Sequence, residues 1–194
     1  MDIAALTAAV ISETGKPHQS ALIERAVKSV ILKAHQSDYY QRDLTSDDNV
    51  VPGSPAIAVV EELPTRFRKF ESIELLDAST GVSLGKYFDP VLPSSSLQYD
   101  GNLIPYHYWV EGANVKLFSE ISIDRLGWSW YQNPDLSTTA KTTWITANYE
   151  QDIIDGASAY VYLKAGDKSS ASIYADFFNG FIRRLRAENL LVQI

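Results

Sequence analysis

Between Tyr149 and Asn189, apolar residues recur at steps of three and four on both sides of Gly166. Ile153, Ile154, Ala157, Tyr160, Val161 and Leu163 mark one helical face over Tyr149 to Lys164. Ala171, Tyr174, Phe178, Phe181, Ile182 and Leu185 mark a second face, running to about Asn189. Gly166 stands where a left-handed residue ends a helix, and Asp167 or Ser169 can cap the next one. So short a connection predicts an antiparallel helical hairpin. Its aromatic surface has to be buried against something, and the partner expected is the helical stretch near the N-terminus.

That stretch reads as two helices. Asp2 can cap the first, over Ile3 to Glu13, and Thr14-Gly15 stops it. Pro17 suits the first turn of the second, which runs to about Gln36 with Leu22, Ile23, Ala26, Val27, Val30, Ile31 and Ala34 as its stripe. Ser37 to Asn49 is polar and reads as a connection. From Val50 to about Tyr131 the pattern changes. Pro52, Pro55, Pro64, Pro90, Pro93 and Pro105 interrupt any helix, and short β-prone runs lie between them. Those runs are Ile57 to Glu61, Phe67 to Leu76, Val82 to Phe88, and a hairpin of Tyr106 to Val110 with Val115 to Phe118 around Glu111-Gly112-Ala113-Asn114. An aromatic run, Trp128 to Tyr131, ends at Asn133-Pro134.

The order helices, strands, helices predicts an α+β chain: an antiparallel helical bundle from both ends with a β-rich insertion between. The expected division is 1–49 for the N-terminal helices, 50–140 for the insertion, and 141–194 for the helical hairpin and an apolar tail, Leu190, Leu191, Val192 and Ile194. Such a tail is unusual, because chain ends are normally polar.

Composition excludes several functions. A net charge of −7 argues against a surface that coats nucleic acid. With no cysteine there is no disulfide, thiolate metal site or cysteine nucleophile. Ile3 to Ile11 lacks a basic flank, and no apolar run approaches spanning length, so neither signal peptide nor membrane helix is expected. His18, His35 and His107 lack ligand spacing and read as surface or helix-end residues, so no metal or cofactor is expected. Gly81 to Lys86 approaches a phosphate loop but is one residue short, and Tyr87 takes the place of the magnesium-binding hydroxyl. The acidic pairs Asp47-Asp48, Glu61-Glu62 and Asp152 with Asp155 read as loop or solvated-face charges. No serine sits in a nucleophile elbow. No catalytic residue is assigned, and the chain is not expected to be an enzyme.

The aromatics Tyr106, Tyr108, Trp109, Trp128, Trp130 and Tyr131 cluster in the later strands. They can pack a core, line an interface between subunits, or stack on sugars. The core reading puts Tyr106 and Tyr108 on one side of a strand and Trp109 in the core on the other. Trp109, Trp128, Trp130 and Tyr131 are the candidates for interface contacts. A tail-associated carbohydrate-binding module using the β-domain aromatics is the alternative, and it requires at least two exposed coplanar rings on one face.

The run Ile31-Leu32-Lys33-Ala34-His35-Gln36-Ser37-Asp38-Tyr39-Tyr40-Gln41-Arg42-Asp43-Leu44 resembles one found in small phage neck proteins. So do Leu126 to Pro134, Trp144 with Tyr149 to Asp167, and the close Phe181-Ile182-Arg183-Arg184-Leu185. The family is the head-to-tail adaptor of short-tailed phages, also called tail tubular protein A. The resemblance implies a helical bundle carrying a β-rich part, and a homo-oligomeric ring, typically of twelve copies, in the virion neck. It implies a portal protein on one side, a tail nozzle protein on the other, and genomic DNA passing through the lumen without sequence-specific binding. It also implies that the chain is made in the host cytoplasm and that Leu190, Leu191, Val192 and Ile194 stand where a portal-docking tail is expected.

Overall fold

The computed structural model describes residues 1–50, 56–92 and 105–192. The chain divides into two compact units, Met1–Asp43 with Asn133–Ile194, and Leu44–Gln132.

The first unit is helical. Asp2 caps α1 (Ile3–Thr14) by accepting the Ala5 amide at 2.8 Å, and Gly15 ends it at φ 64°, a conformation that costs a glycine little. A short 3-10 turn at Pro17–Gln19 leads into α2 (Ser20–His35). After the β segment, Thr143 and Thr146 form a reciprocal capping box that starts the short α3 (Trp144–Asn148). Then α4 (Glu150–Lys164) and α5 (Lys168–Val192) make the expected hairpin. Of the two caps expected for α5, Asp167 does the work: its carboxylate accepts the Ser170 amide at 3.0 Å and the Ser170 hydroxyl at 2.7 Å. The helices meet on one core that includes Ile3, Leu6, Ile23, Ile31, Ile153 and Phe181.

Gly156 lets α4 approach its neighbours closely. A Cβ built there would stand 2.7 Å from Phe178 Cδ2 and 2.8 Å from Val30 Cγ1. At an open helical site, glycine to alanine gains up to about 1 kcal/mol. Here the clash outweighs that gain, because overpacking a tight core costs roughly 1–3 kcal/mol. Gly156→Val is expected to destabilise the protein by about 2 kcal/mol. In the same helical unit, Gly180→Ala, whose Cβ meets nothing within 4 Å, should be neutral or stabilising. Denaturant titration followed by helical circular dichroism checks both.

The second unit is all β. One sheet runs β1 (Leu44–Val50), β8 (Arg125–Gln132), β3 (Phe67–Leu76), β4 (Ser83–Tyr87) across its width. The other runs β2 (Ala56–Glu62), β7 (Asn114–Ile123), β6 (His107–Glu111), β5 (Asp89–Pro90). All pairings are antiparallel except β5 with β6. In β8 alternate residues take opposite faces. Trp128 pairs across to Ile73 and Trp130 to Phe70, placing all four on the inner face. The opposite sheet contributes Val59, Tyr108, Val115 and Leu117 to the same core, and the Phe70 and Tyr108 rings meet edge to face at 5.5 Å.

This corrects the expected architecture. The class is α+β, but the middle of the chain is not an insertion carried on a helical bundle. It is a body of two four-stranded sheets with a core of its own. Four local expectations change as well. Leu44 to Asn49, read as part of a connection, is strand β1, with Leu44 opposite Tyr131. The hairpin turn tightens to Gly112-Ala113, because Glu111 and Asn114 already pair and Gly112 takes φ 63°. Trp109, expected in the core, is only half-buried, whereas Tyr108 is 8% exposed and lies inside. The segment from Leu190 to Val192, read as a tail beyond the last helix, continues α5.

Candidate functional site

The turn after α2 is cross-linked by side-chain hydrogen bonds from two directions. His35 closes α2, and eight residues later Asp43 ends a 3-10 turn, Gln41–Asp43, whose Asp43 amide donates to Tyr40 O at 2.9 Å. The Asp43 carboxylate receives His35 Nδ1 at 2.8 and 3.0 Å, and the Trp144 indole N–H at 2.8 Å. Both side chains of the pair are buried, at 2% and 5% exposure. A carboxylate only accepts, so the imidazole proton facing it sits on Nδ1. Trp144 also meets the His35 ring at 5.5 Å and the Tyr40 ring at 5.2 Å, both edge to face, and the Arg42 guanidinium lies over it at 5.3 Å.

The C-terminal part of α5 holds the same turn from the other side. Arg186 Nε donates to Ser37 O at 2.8 Å, and Asn189 Nδ2 donates to Tyr39 O at 3.1 Å and Asp38 Oδ2 at 3.2 Å. The Tyr149 hydroxyl donates to Glu188 at 2.7 Å. A recess of about 120 Å³ opens here, lined by Tyr40, Arg42, Trp144, Tyr149, Glu188 and Asn189 among others. His35 and Asp43 do not line it. The pair therefore stands behind the Trp144 ring, where it can hold that ring in place, and a substrate in the recess would not reach it.

His35 ends α2, as a helix-end histidine is expected to, but it is not on the surface: it is buried against a carboxylate. Nothing local could have revealed the cluster, because Asp43 lies eight positions beyond His35 and Trp144 a hundred and one beyond Asp43. The run Ile31 to Leu44 and Trp144 supply this network.

The other sequence candidates scatter. Asp152 and Asp155, expected on a solvated face, are half-buried, and burial raises both carboxyls above their usual range. Asp152 is ion-paired with Arg184 at 2.7 Å and Asp155 accepts from Gln151 at 2.9 Å. Asp48 is ion-paired with Arg125. Gly81 is a turn residue at φ 70°, whereas Gly85, at φ 66°, lies inside β4, a strand whose residues are all exposed and whose register against β3 shifts. Among the described residues no group of three or more His, Cys, Asp or Glu could hold a metal ion.

Trp128, Trp130 and Tyr131 are 5%, 7% and 3% exposed; Trp128 and Trp130 belong to the β unit's core, and Tyr131 lies on the opposite face of β8. The edges of Trp128 and Trp130 reach a shallow recess with Asp47, Glu62, Pro64 and Thr65. Their indole nitrogens have no hydrogen-bond partner among the described residues. Of the tail candidates, Leu190 is 61% exposed on α5, Leu191 and Val192 continue the helix, and Ile194 lies outside the described residues.

The apolar side chains left in water on the helical unit have their own pattern. Ile173 and Phe177, one helical turn apart on α5, are 53% and 58% exposed, and Leu163 on α4 is 56% exposed. Beside Phe177 stands Tyr174, whose hydroxyl donates to Glu13; that bond and burial push its pKa up to about 12. No helix among the described residues is long and apolar enough to cross a membrane. No family model matches the chain, and no curated protein matches its sequence.

Proposed function

We propose that this chain is a structural subunit of a virion neck: a head-to-tail adaptor that forms a homo-oligomeric ring between the portal protein and the tail nozzle protein. The observation that carries the reading is the exposed apolar surface of the helical unit, with Ile173, Phe177, Leu163 and Leu190 each more than half exposed. Exposed large apolar side chains mark contact surfaces for other chains, and the β unit adds Val60, Val82, Tyr87 and Leu92, each also more than half exposed. A ring subunit needs such surfaces on its flanks as well as at its ends. The resemblance of Ile31 to Leu44 and of the C-terminal helices to neck proteins supports the same reading. The net charge of −7 suits a conduit, since a lumen that repels phosphate lets DNA slide through without specific contacts. The carbohydrate-binding alternative has less support, because sugar stacking needs open ring faces and Trp128 and Trp130 are largely enclosed.

Native mass spectrometry of the protein alone and mixed with the portal protein of the same phage tests the proposal. A ring forming on the portal supports it. If the ring is lost when Leu190 to Ile194 are removed, portal docking belongs to the end of α5. A protein that stays monomeric and ignores the portal overturns the adaptor reading.

A further inference from the structure

α5 carries two unlike flanks. One borders a groove of about 590 Å³ between α2, α4 and α5. Its floor is small and apolar, with Gly156, Ala171 and Ala175, and Tyr160 and Leu163 stand on its wall at 39% and 56% exposure. Its rim is basic. Lys33 lies over the Phe178 ring at 5.4 Å, Lys168 opens α5, and neither is ion-paired among the described residues. The other flank, on roughly the opposite side of the helix at about 3.6 residues per turn, presents Ile173 and Phe177. Its surroundings are acidic: Asp176 lies between those two residues with no ion pair or hydrogen bond among the described residues, and Glu13 sits behind Tyr174.

We propose that the occupant of the groove is a second copy of this chain, which inserts its Ile173–Phe177 flank between Lys33 and Lys168. The match is one of shape and charge: two apolar side chains a turn apart meet an apolar floor of small residues, and an acidic edge meets a basic rim. Because the two surfaces are different patches of one molecule, the contact is head-to-tail. Repeated contacts of that kind generate a ring if the rotation closes, and otherwise a filament. The inference names the flanks of the ring proposed above and rests on that reading for closure.

The chain has no cysteine, so single ones can be placed at will. Leu163→Cys and Phe177→Cys are made separately in the full chain, at sites exposed enough to leave the fold intact. Each is oxidised alone and then both together, with and without the portal protein, and the same samples are weighed by native mass spectrometry. A disulfide-linked dimer in the mixture only is the expected result. Phe177→Asp is expected to weaken self-association by about tenfold or more, the loss typical of a buried aromatic anchor. Oligomers without the mixed cross-link, and indifferent to Phe177→Asp, would overturn this interface and leave the ring standing. Cross-linking of Phe177→Cys with itself would overturn it in favour of a two-fold contact. A monomer under every condition would sink both readings. Portal binding lost with Leu163→Cys or Phe177→Asp, in a chain that never self-associates, would assign these flanks to the portal instead.

Discussion

Asp43→Ala is expected to destabilise the helical unit by about 2–6 kcal/mol, because two buried donors each lose their acceptor at about 1–3 kcal/mol apiece. The reason lies in what the carboxylate satisfies. It takes donors from His35 and from Trp144 in a site where both members of the His–Asp pair are at most 5% exposed. Truncation leaves the imidazole proton and the indole N–H facing a cavity, and a buried unsatisfied donor costs about 1–3 kcal/mol. It also frees the Trp144 ring, on which Tyr40, His35 and Arg42 all pack. Asp43→Asn keeps the shape and one acceptor, so about 1–3 kcal/mol is expected. Trp144 is the only tryptophan of the helical unit, so helical circular dichroism, with Trp144 fluorescence once the three other tryptophans are replaced by phenylalanine, reports the change in a denaturant titration. A double-mutant cycle with His35→Ala should give coupling well above about 0.5 kcal/mol, the limit for independent sites. A loss below about 1 kcal/mol for Asp43→Ala would show that water relaxes into the site, and that the pair is ornamental.

How much of this was legible in the sequence depends on how far each feature reaches along the chain. The α4–α5 hairpin needs only a stripe, a glycine and a cap, all within neighbouring turns, and the residues from Ile153 to Leu185 show them plainly. Its end did not read correctly: Leu190 to Val192 look like an apolar tail, but nothing in them stops a helix, and the helix runs on. Strand β1 was missed because Leu44-Thr45-Ser46-Asp47-Asp48-Asn49 is an edge strand of mostly polar residues, stabilised by β8 some eighty positions away. The two-sheet body was missed for the same reason, since pairings such as Ala58 with Phe118 are invisible to local pattern. Trp109 and Tyr108 exchanged roles because alternation gives two faces without saying which one is inside. The His35–Asp43–Trp144 cluster is the extreme case. Each residue type is ordinary, and only the folded chain puts the three together.

Phe181→Ala should be as damaging, for an apolar reason. Among the described residues Phe181 is the largest fully enclosed side chain, at 1% exposure, and its ring meets Tyr149 at 5.2 Å and Phe178 at 5.8 Å. Removing a buried phenyl costs about 3–5 kcal/mol, part as lost transfer from water and part as the cavity left behind. The site can collapse little. Phe178 is already pressed against Gly156, and Tyr149 is tethered through its hydroxyl to Glu188. The upper half of the range is therefore expected, and Phe181→Leu, which keeps most of the volume, should recover more than half of it. The two units have separate cores; Trp144 belongs to the first unit, and Trp109, Trp128 and Trp130 belong to the second. The loss should accordingly appear first in helical circular dichroism and in Trp144 fluorescence, isolated by replacing the three other tryptophans with phenylalanine. Equal shifts in the signals of both units would mean that they unfold as one cooperative body. A shift confined to the helical signal would mean that each core carries its own stability.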